Sequence, residues 1–120
     1  MKSPLVSIVT PSFNQATFLE ETIQSVLHQD YACREKTRLE YLIIDGGSTD
    51  GSLEIIQRYA PQLAWWVSEA DKGQTDAINK GLNHARGEIL AWINSDDTYT
   101  PQAVSEAVEF FQTHPEVGMV

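Results

Sequence analysis

The sequence is poor in basic residues, in cysteine and in long apolar runs, and each shortage removes a class of function. Lys and Arg number 8 against 17 Asp and Glu, a formal net charge of −9 over 120 residues. A protein that tracks nucleic-acid phosphates needs clustered Lys and Arg to release counterions, so this balance argues against nucleic acid as a partner. It argues equally against electrostatic docking on an anionic membrane. The single cysteine, Cys33, can form neither an internal disulfide nor a zinc site, and reads as a free thiol in a reducing compartment. The N-terminal segment has an apolar run of only about five residues before Thr10 and Pro11, too short for a signal peptide or a membrane span. The expectation is a cytoplasmic protein, at most peripheral to a membrane as part of a longer parent. Two phosphate-binding signatures are also missing: there is no G-x-G-x-x-G spacing and no G-K-[ST] loop.

What remains is ordinary globular composition, with 42% hydrophobic and 21% charged residues, enough for one core in a single domain spanning 1–120. Short β-rich runs alternate with helix-period segments. Strands are expected over Leu5–Thr10, Leu39–Asp45, Leu63–Ser68 and Glu88–Asn94, with a fifth beginning at Val117. Helices are expected over Thr17–Gln29, from a cap at Asp50 or Ser52 to Pro61, over Gln74–Arg86 with Gly87 as the residue past its end, and from the Thr100 cap and Pro101 to Thr113. Asp30–Arg38 reads as a loop. This β-α alternation predicts an α/β fold, a mainly parallel sheet flanked by helices. Ligands of such sheets bind beyond the carboxyl ends of the strands.

Those ends carry the chemistry. The first strand leads into Pro11-Ser12-Phe13-Asn14, and the second into Asp45-Gly46-Gly47-Ser48-Thr49-Asp50-Gly51. Glu69 and Asp71-Lys72-Gly73 follow the third, and Asn94-Ser95-Asp96-Asp97 follow the fourth. Adjacent carboxylates at Asp96 and Asp97 repel each other, and a hard divalent cation such as Mg²⁺ or Mn²⁺ relieves that repulsion. The same pair also suits a plain acidic turn. Asp45 can accept hydrogen bonds from a base or ribose, or simply staple a turn. Lys72 precedes a helix N-terminus, where a phosphate would meet an ammonium and free N–H groups. Asp76 and Lys80 are spaced for an ordinary i,i+4 pair. Phe13 is placed to stack on a nucleobase. Trp65, Trp66 and Trp92 read as packing residues, and His28, His84 and His114 as helix-surface residues with no partner pattern.

Four ordered segments, Val6–Asn14, Tyr41–Gly51, Asp71–Gly81 and Ala85–Asp97, together closely resemble family 2 glycosyltransferases. The resemblance runs from about Leu5 to the C-terminus. It implies the Rossmann-like GT-A fold, here its nucleotide-binding half in truncated form, and inverting transfer from a nucleoside-diphosphate sugar to a saccharide or lipid-linked acceptor in polysaccharide assembly. By the same resemblance Pro11, Phe13 and Asp45 line the nucleoside pocket, and Lys72 and Asp76 lie near the diphosphate or sugar. Asp96 and Asp97 would contact ribose, diphosphate and Mg²⁺ or Mn²⁺. Many members carry two acids where this chain has Asp45-Gly46, and Asn94 stands in place of the first Asp of the longer acidic motif. The family's general base is expected beyond Val120. An alternative is a truncated, non-catalytic interaction module whose exposed edges favour homo-oligomers. A phosphoacceptor domain is disfavoured, because the first strand ends in Thr10-Pro11-Ser12 with no carboxylate.

Overall fold

The computed structural model describes residues 4–29, 31 and 38–113. Its elements are β1 (Val6–Ser12), α1 (Ala16–Leu27), β2 (Leu39–Asp45), α2 (Ser52–Tyr59) with a short 3₁₀ turn (Ala60–Gln62), β3 (Trp65–Ser68), α3 (Gln74–His84), β4 (Ile89–Trp92) and α4 (Ala103–Thr113). The strands form one parallel sheet in the order β3-β2-β1-β4. The expected α/β class is therefore observed. The Cys33 thiol, most of the 30–38 loop, His114 and the strand expected from Val117 lie outside the described residues.

Both faces of the sheet are covered, which is why β1 and β2 read as nearly continuous apolar runs rather than alternating ones. Val6, Ile8, Tyr41 and Ile43 pack with Leu19, Ile23 and Val26 of α1, Ile56 of α2, and Val104, Val108 and Phe111 of α4. Val9, Leu42 and Ile44 face the other way, onto Ala77 of α3. That helix lies close to the sheet: a Cβ added to Gly81 would fall 2.4 Å from a Val9 methyl and 2.7 Å from Ile44 Cδ1.

Several boundaries differ from the sequence-based expectation, each for a local reason. β1 runs through Pro11, pairing Pro11 with Ile44 and Ser12 with Asp45. Val9 faces β4, since its carbonyl accepts the Ile93 N–H, while the Ser12 carbonyl accepts from Gly46 on the β2 side. Pro11 therefore points its nitrogen toward β4, whose pairing has already ended at Trp92, and the missing N–H costs no ladder bond. α3 stops at His84 with an extended Ala85, so Gly87 is not its C′ residue. Gly87 instead makes a close crossing, where a Cβ would sit 2.4 Å from Ser7 Oγ. α4 begins at Ala103 rather than at Pro101. Gln29 is responsible: its Nε2 donates to the Thr100 carbonyl and its Oε1 accepts the Val104 N–H, so a side chain from beyond α1 caps α4. His84 also departs from expectation, because its ring stacks on Trp65 with centroids 3.6 Å apart. Trp92 is 40% exposed and is not a core residue.

Strand order locates the candidate ligand site. The chain passes from β1 outward through β2 to β3, then returns to place β4 on the other side of β1. The switch point lies between β1 and β4, where open parallel sheets form their ligand crevice.

Candidate functional site

The loops beyond the strand ends are built by short-range capping and then tied together. Asn14, in the left-handed region at φ 52°, presents its N–H to Ser48 Oγ and accepts the Thr49 N–H. Asp50 accepts from the Ala16 N–H at the start of α1 and from the Ser52 N–H and hydroxyl at the start of α2. One carboxylate thus serves two helix N-termini, where negative charge is favoured. The Ser52 hydroxyl and then the Ala16 N–H hold the Asp50 carboxyl below the usual aspartate range. The sequence placed Asp50 at α2 but carried no sign of its link to α1.

The acidic loop after β4 is gripped from α1. The fully buried Thr22 hydroxyl lies 2.6 Å from the Asp97 carbonyl and 3.0 Å from that of Ser95. Ser25 Oγ accepts the Tyr99 N–H. Thr22 and Ser25 of α1, with Gln29 just past its end, form a polar seam beside the helix's apolar stripe. Polar residues at a spacing of three to four positions were the available signal for this seam.

These loops enclose a cleft of about 680 Å³, within the range of small-ligand sites. Pro11, Ser12, Phe13 and Gln15 line it from the β1 loop, Gly46 from the β2 loop, Ala70, Asp71, Gly73, Gln74 and Ala77 from the β3 side, and Asn94, Ser95 and Asp96 from the β4 loop. Gln74 Nε2 donates to Asn94 Oδ1 across it. Phe13 is 59% exposed, an unusual position for a phenyl ring that packing does not explain. Ser12 is buried, and among the described residues its Oγ is the one buried side-chain polar atom without a hydrogen-bond partner. Such an orphan is costly unless a ligand or function accounts for it.

Of the residues singled out from sequence, Pro11, Phe13 and Asp96 line the cleft. Asp45 does not. It is fully buried, and its oxygens accept from the Gly47 and Ser48 N–H groups and from the Ser48 and Ser68 hydroxyls. It staples the turn. Lys72 and Asp76 sit beside the cleft rather than in its lining: Lys72 is exposed, and its backbone N–H is taken by the Asp76 carboxylate. Asp76 lies 3.9 Å from Lys80, as its spacing suggested, while Lys80 comes closer to Glu69, at 3.2 Å. Asp97 is exposed and likewise outside the lining, though its loop is shared with Asp96. Asp71 and Gln74 do line the cleft and were not among the residues assigned a role.

Among the described residues, no group of three or more His, Cys, Asp or Glu is gathered to hold a metal ion by protein ligands alone. The oxygen donors at the cleft still suit Mg²⁺ or Mn²⁺, which commonly take one or two carboxylates and complete their shell with substrate phosphates. No helix of the described residues is long and apolar enough to cross a membrane.

A parallel sheet with a ligand-sized cleft at its switch point, lined by an exposed aromatic from the β1 loop and an acid from the β4 loop, has the architecture of an open α/β ligand-binding domain. The family model for glycosyl transferase family 2 matches residues 7–120, and the chain belongs to that family. It is 40% identical over 108 residues to an uncharacterized glycosyltransferase of Mycobacterium tuberculosis, covering 89% of this chain and 40% of the relative. The structure of Staphylococcus aureus TarS 1–349 in complex with UDP-GlcNAc superposes with a TM-score of 0.81 at 26% identity, over 92% of this chain and 32% of that one. The mannosyltransferase PcManGT from Pyrobaculum calidifontis, in complex with GDP-Man and Mn²⁺, gives 0.82 at 31% identity, over 92% of this chain and 33% of that one. The fold is thus that of the GT-A glycosyltransferases, and the chain spans about two fifths of the length of the M. tuberculosis relative.

Proposed function

We propose that this chain is the donor-binding part of a glycosyltransferase, taking a nucleoside-diphosphate sugar into the cleft for inverting transfer to a saccharide or lipid-linked acceptor. The cleft's lining carries the reading: it holds an exposed ring, Phe13, from the β1 loop and an acid, Asp96, from the neighbouring β4 loop. The ring offers a face for a base, a contact that tolerates any nucleobase. Asp96, with Asp97 beside it, would hold Mg²⁺ or Mn²⁺ where the diphosphate lies. When bound, the cation offsets the charge of the departing nucleoside diphosphate. The complexes of TarS with UDP-GlcNAc and of PcManGT with GDP-Man and Mn²⁺ support this reading.

Lys72, exposed beside the cleft, would meet the diphosphate through its ammonium, and the Asp76 carboxylate accepts the Lys72 backbone N–H. Inverting transfer requires a base to deprotonate the attacking hydroxyl. We assign that base and the acceptor-binding surface to sequence other than these 120 residues. A role in polymer assembly follows the name of TarS, a poly(ribitol-phosphate) β-N-acetylglucosaminyltransferase.

Calorimetric titration with UDP, GDP and their sugars, with and without Mn²⁺, tests the proposal. Metal-dependent binding is expected, and the Asp96→Ala/Asp97→Ala double variant should lose the metal dependence. A folded sample that binds none of these ligands would overturn the reading. A dimer on size exclusion that ignores nucleotides would favour the interaction module instead.

A further inference from the structure

The sheet stops supporting the chain just before the acids begin. β4 pairs with β1 only as far as Trp92, and one further bond, from the Ile93 N–H to the Val9 carbonyl, ends the contact. Asn94 to Asp97 then form a single tight turn, closed by the Asp97 N–H on the Asn94 carbonyl at 3.1 Å, with Ser95 and Asp96 at its centre. The carbonyls of the residues before and after Asp96 converge on one group. That group is the Thr22 hydroxyl of α1, 3.0 Å from the Ser95 carbonyl and 2.6 Å from that of Asp97.

A threonine inside a helix ordinarily turns its hydroxyl to the carbonyl one turn back. Here that carbonyl, of Phe18, is the farthest of the three, at 3.4 Å. The single hydroxyl proton therefore serves the loop, chiefly Asp97, and not the helix that carries it. Thr22 and Ser95 are both buried, so water does not freely replace a bond lost there. Asp96 and Asp97 are both exposed, and Asp96 lines the cleft. The turn is thus pinned by its backbone from inside while its acids remain outside. Ser25 Oγ, on the Tyr99 N–H, and Gln29, on Thr100 and Val104, extend the same hold further along the chain.

We propose, resting on the nucleotide-sugar reading above, that Thr22 is a positioning residue for the acids that hold the cation. It does not touch the ligand. Its hydroxyl fixes the Ser95–Asp97 backbone, and with it the place from which the Asp96 and Asp97 carboxylates meet a metal ion. Mg²⁺ demands near-ideal octahedral geometry, so a carboxylate on a loosened turn is a poorer ligand than one held in place. Groups that orient a metal ligand directly are worth about ten- to a hundredfold in metal affinity, and a hold exerted through the backbone is worth less. Contacts to the nucleoside from the β1 loop do not pass through this turn, so the effect is confined to the metal-dependent part of binding.

The test is calorimetric titration with UDP and GDP, each with and without Mn²⁺, of the parent, Thr22→Val, Thr22→Ala, Thr22→Ser and Glu40→Ala, with thermal melts to establish that each is folded. The readout is the gain in affinity that Mn²⁺ brings. Thr22→Val should reduce that gain about three- to tenfold and leave affinity without metal unchanged. Thr22→Ala, which adds no methyl against the loop carbonyls, gives the same reading should Thr22→Val not fold. Thr22→Ser, which keeps the hydroxyl, should restore the parent's gain. Glu40→Ala removes a buried group far from the cleft and should lower the melting temperature while keeping the gain, so that a general loss of stability is told apart from a displaced turn. An unchanged gain in a folded Thr22→Val or Thr22→Ala, an equal loss in Thr22→Ser, or an equal loss in Glu40→Ala would overturn the assignment and leave the nucleotide site standing. A parent that binds these nucleotides without regard to Mn²⁺ would overturn the metal reading and this assignment together, and a parent that binds neither would overturn the nucleotide reading itself.

Discussion

Ser7 and Ser12 stand near opposite ends of β1, both buried, and their hydroxyls have opposite fates. At the amino end of the sheet Ser7 donates to Glu40 Oε1 at 2.7 Å and accepts the Gly87 N–H at 2.8 Å. Glu40, only 7% exposed, also takes the Arg86 N–H at 2.6 Å, with the Arg86 guanidinium 3.4 Å away. At the carboxyl end Ser12 Oγ has no partner and borders an open cleft. One end of the sheet is closed by a completed polar network that fastens the β3–β4 crossover to β1 and β2. The other end is left incomplete, and an incomplete polar group is where a ligand can contribute what the fold does not.

The contrast can be broken at either end. The largest effect is expected from Glu40→Ala, which strips partners from the Ser7 hydroxyl and the Arg86 N–H together. It should cost about 3 kcal/mol in denaturant unfolding and leave nucleotide affinity unchanged. A loss of binding as large as the loss of stability would erase the distinction between the ends. Thr22→Val, a near-isosteric change, should cost about 1–2 kcal/mol. Because it frees the Ser95 and Asp97 carbonyls from α1, it should also weaken metal-dependent binding several-fold, measurable in the same titrations.

Ser12→Ala is expected to have the opposite sign. Removing a buried, unpartnered hydroxyl should stabilise the fold by up to about 1 kcal/mol, read as a rise in the urea midpoint. Destabilisation on the scale of Glu40→Ala would mean that Ser12 is as structural as Ser7. The smallest effect concerns Asp50. Its carboxyl titrates below the ordinary 3.8 in the folded protein, through the Ser52 hydroxyl and then the Ala16 N–H. Its stabilisation is therefore in place above that ordinary value and is lost as pH falls through the folded-state value. The melting-temperature gap between the parent and Asp50→Ala should be present at neutral pH and shrink in strong acid. A gap that persists there would assign the effect to something other than the charge.

Much of the fold was legible because hydrophobic periodicity is local. β2 was read at its observed bounds, Leu39–Asp45, since an apolar run stopped by Gly46-Gly47 leaves little choice. β1 and α4 were misread at their ends for the same underlying reason. Whether Pro11 can stay in a strand depends on where β4 stops, and where α4 begins depends on Gln29. The site was legible as a place, at the strand ends, more than as a set of side chains. Asp45 and Asp71 are the same residue type near neighbouring strand ends. Nothing along the chain distinguishes the acid that staples a turn from the acid that faces a cleft.

The order of short apolar runs and helix-period segments, with acids gathered after the strands, was determined by the sequence itself, because strand and helix periods and turn chemistry act over a few residues. Which acids are spent internally, which reach the cleft, and that β4 returns to the far side of β1 to open it, were decided only in the tertiary structure. Those outcomes depend on hydrogen-bond partners and steric space supplied by segments distant in the chain: Ser68 for Asp45, Gly46 for Asp71 and Thr22 for the Asp96 loop.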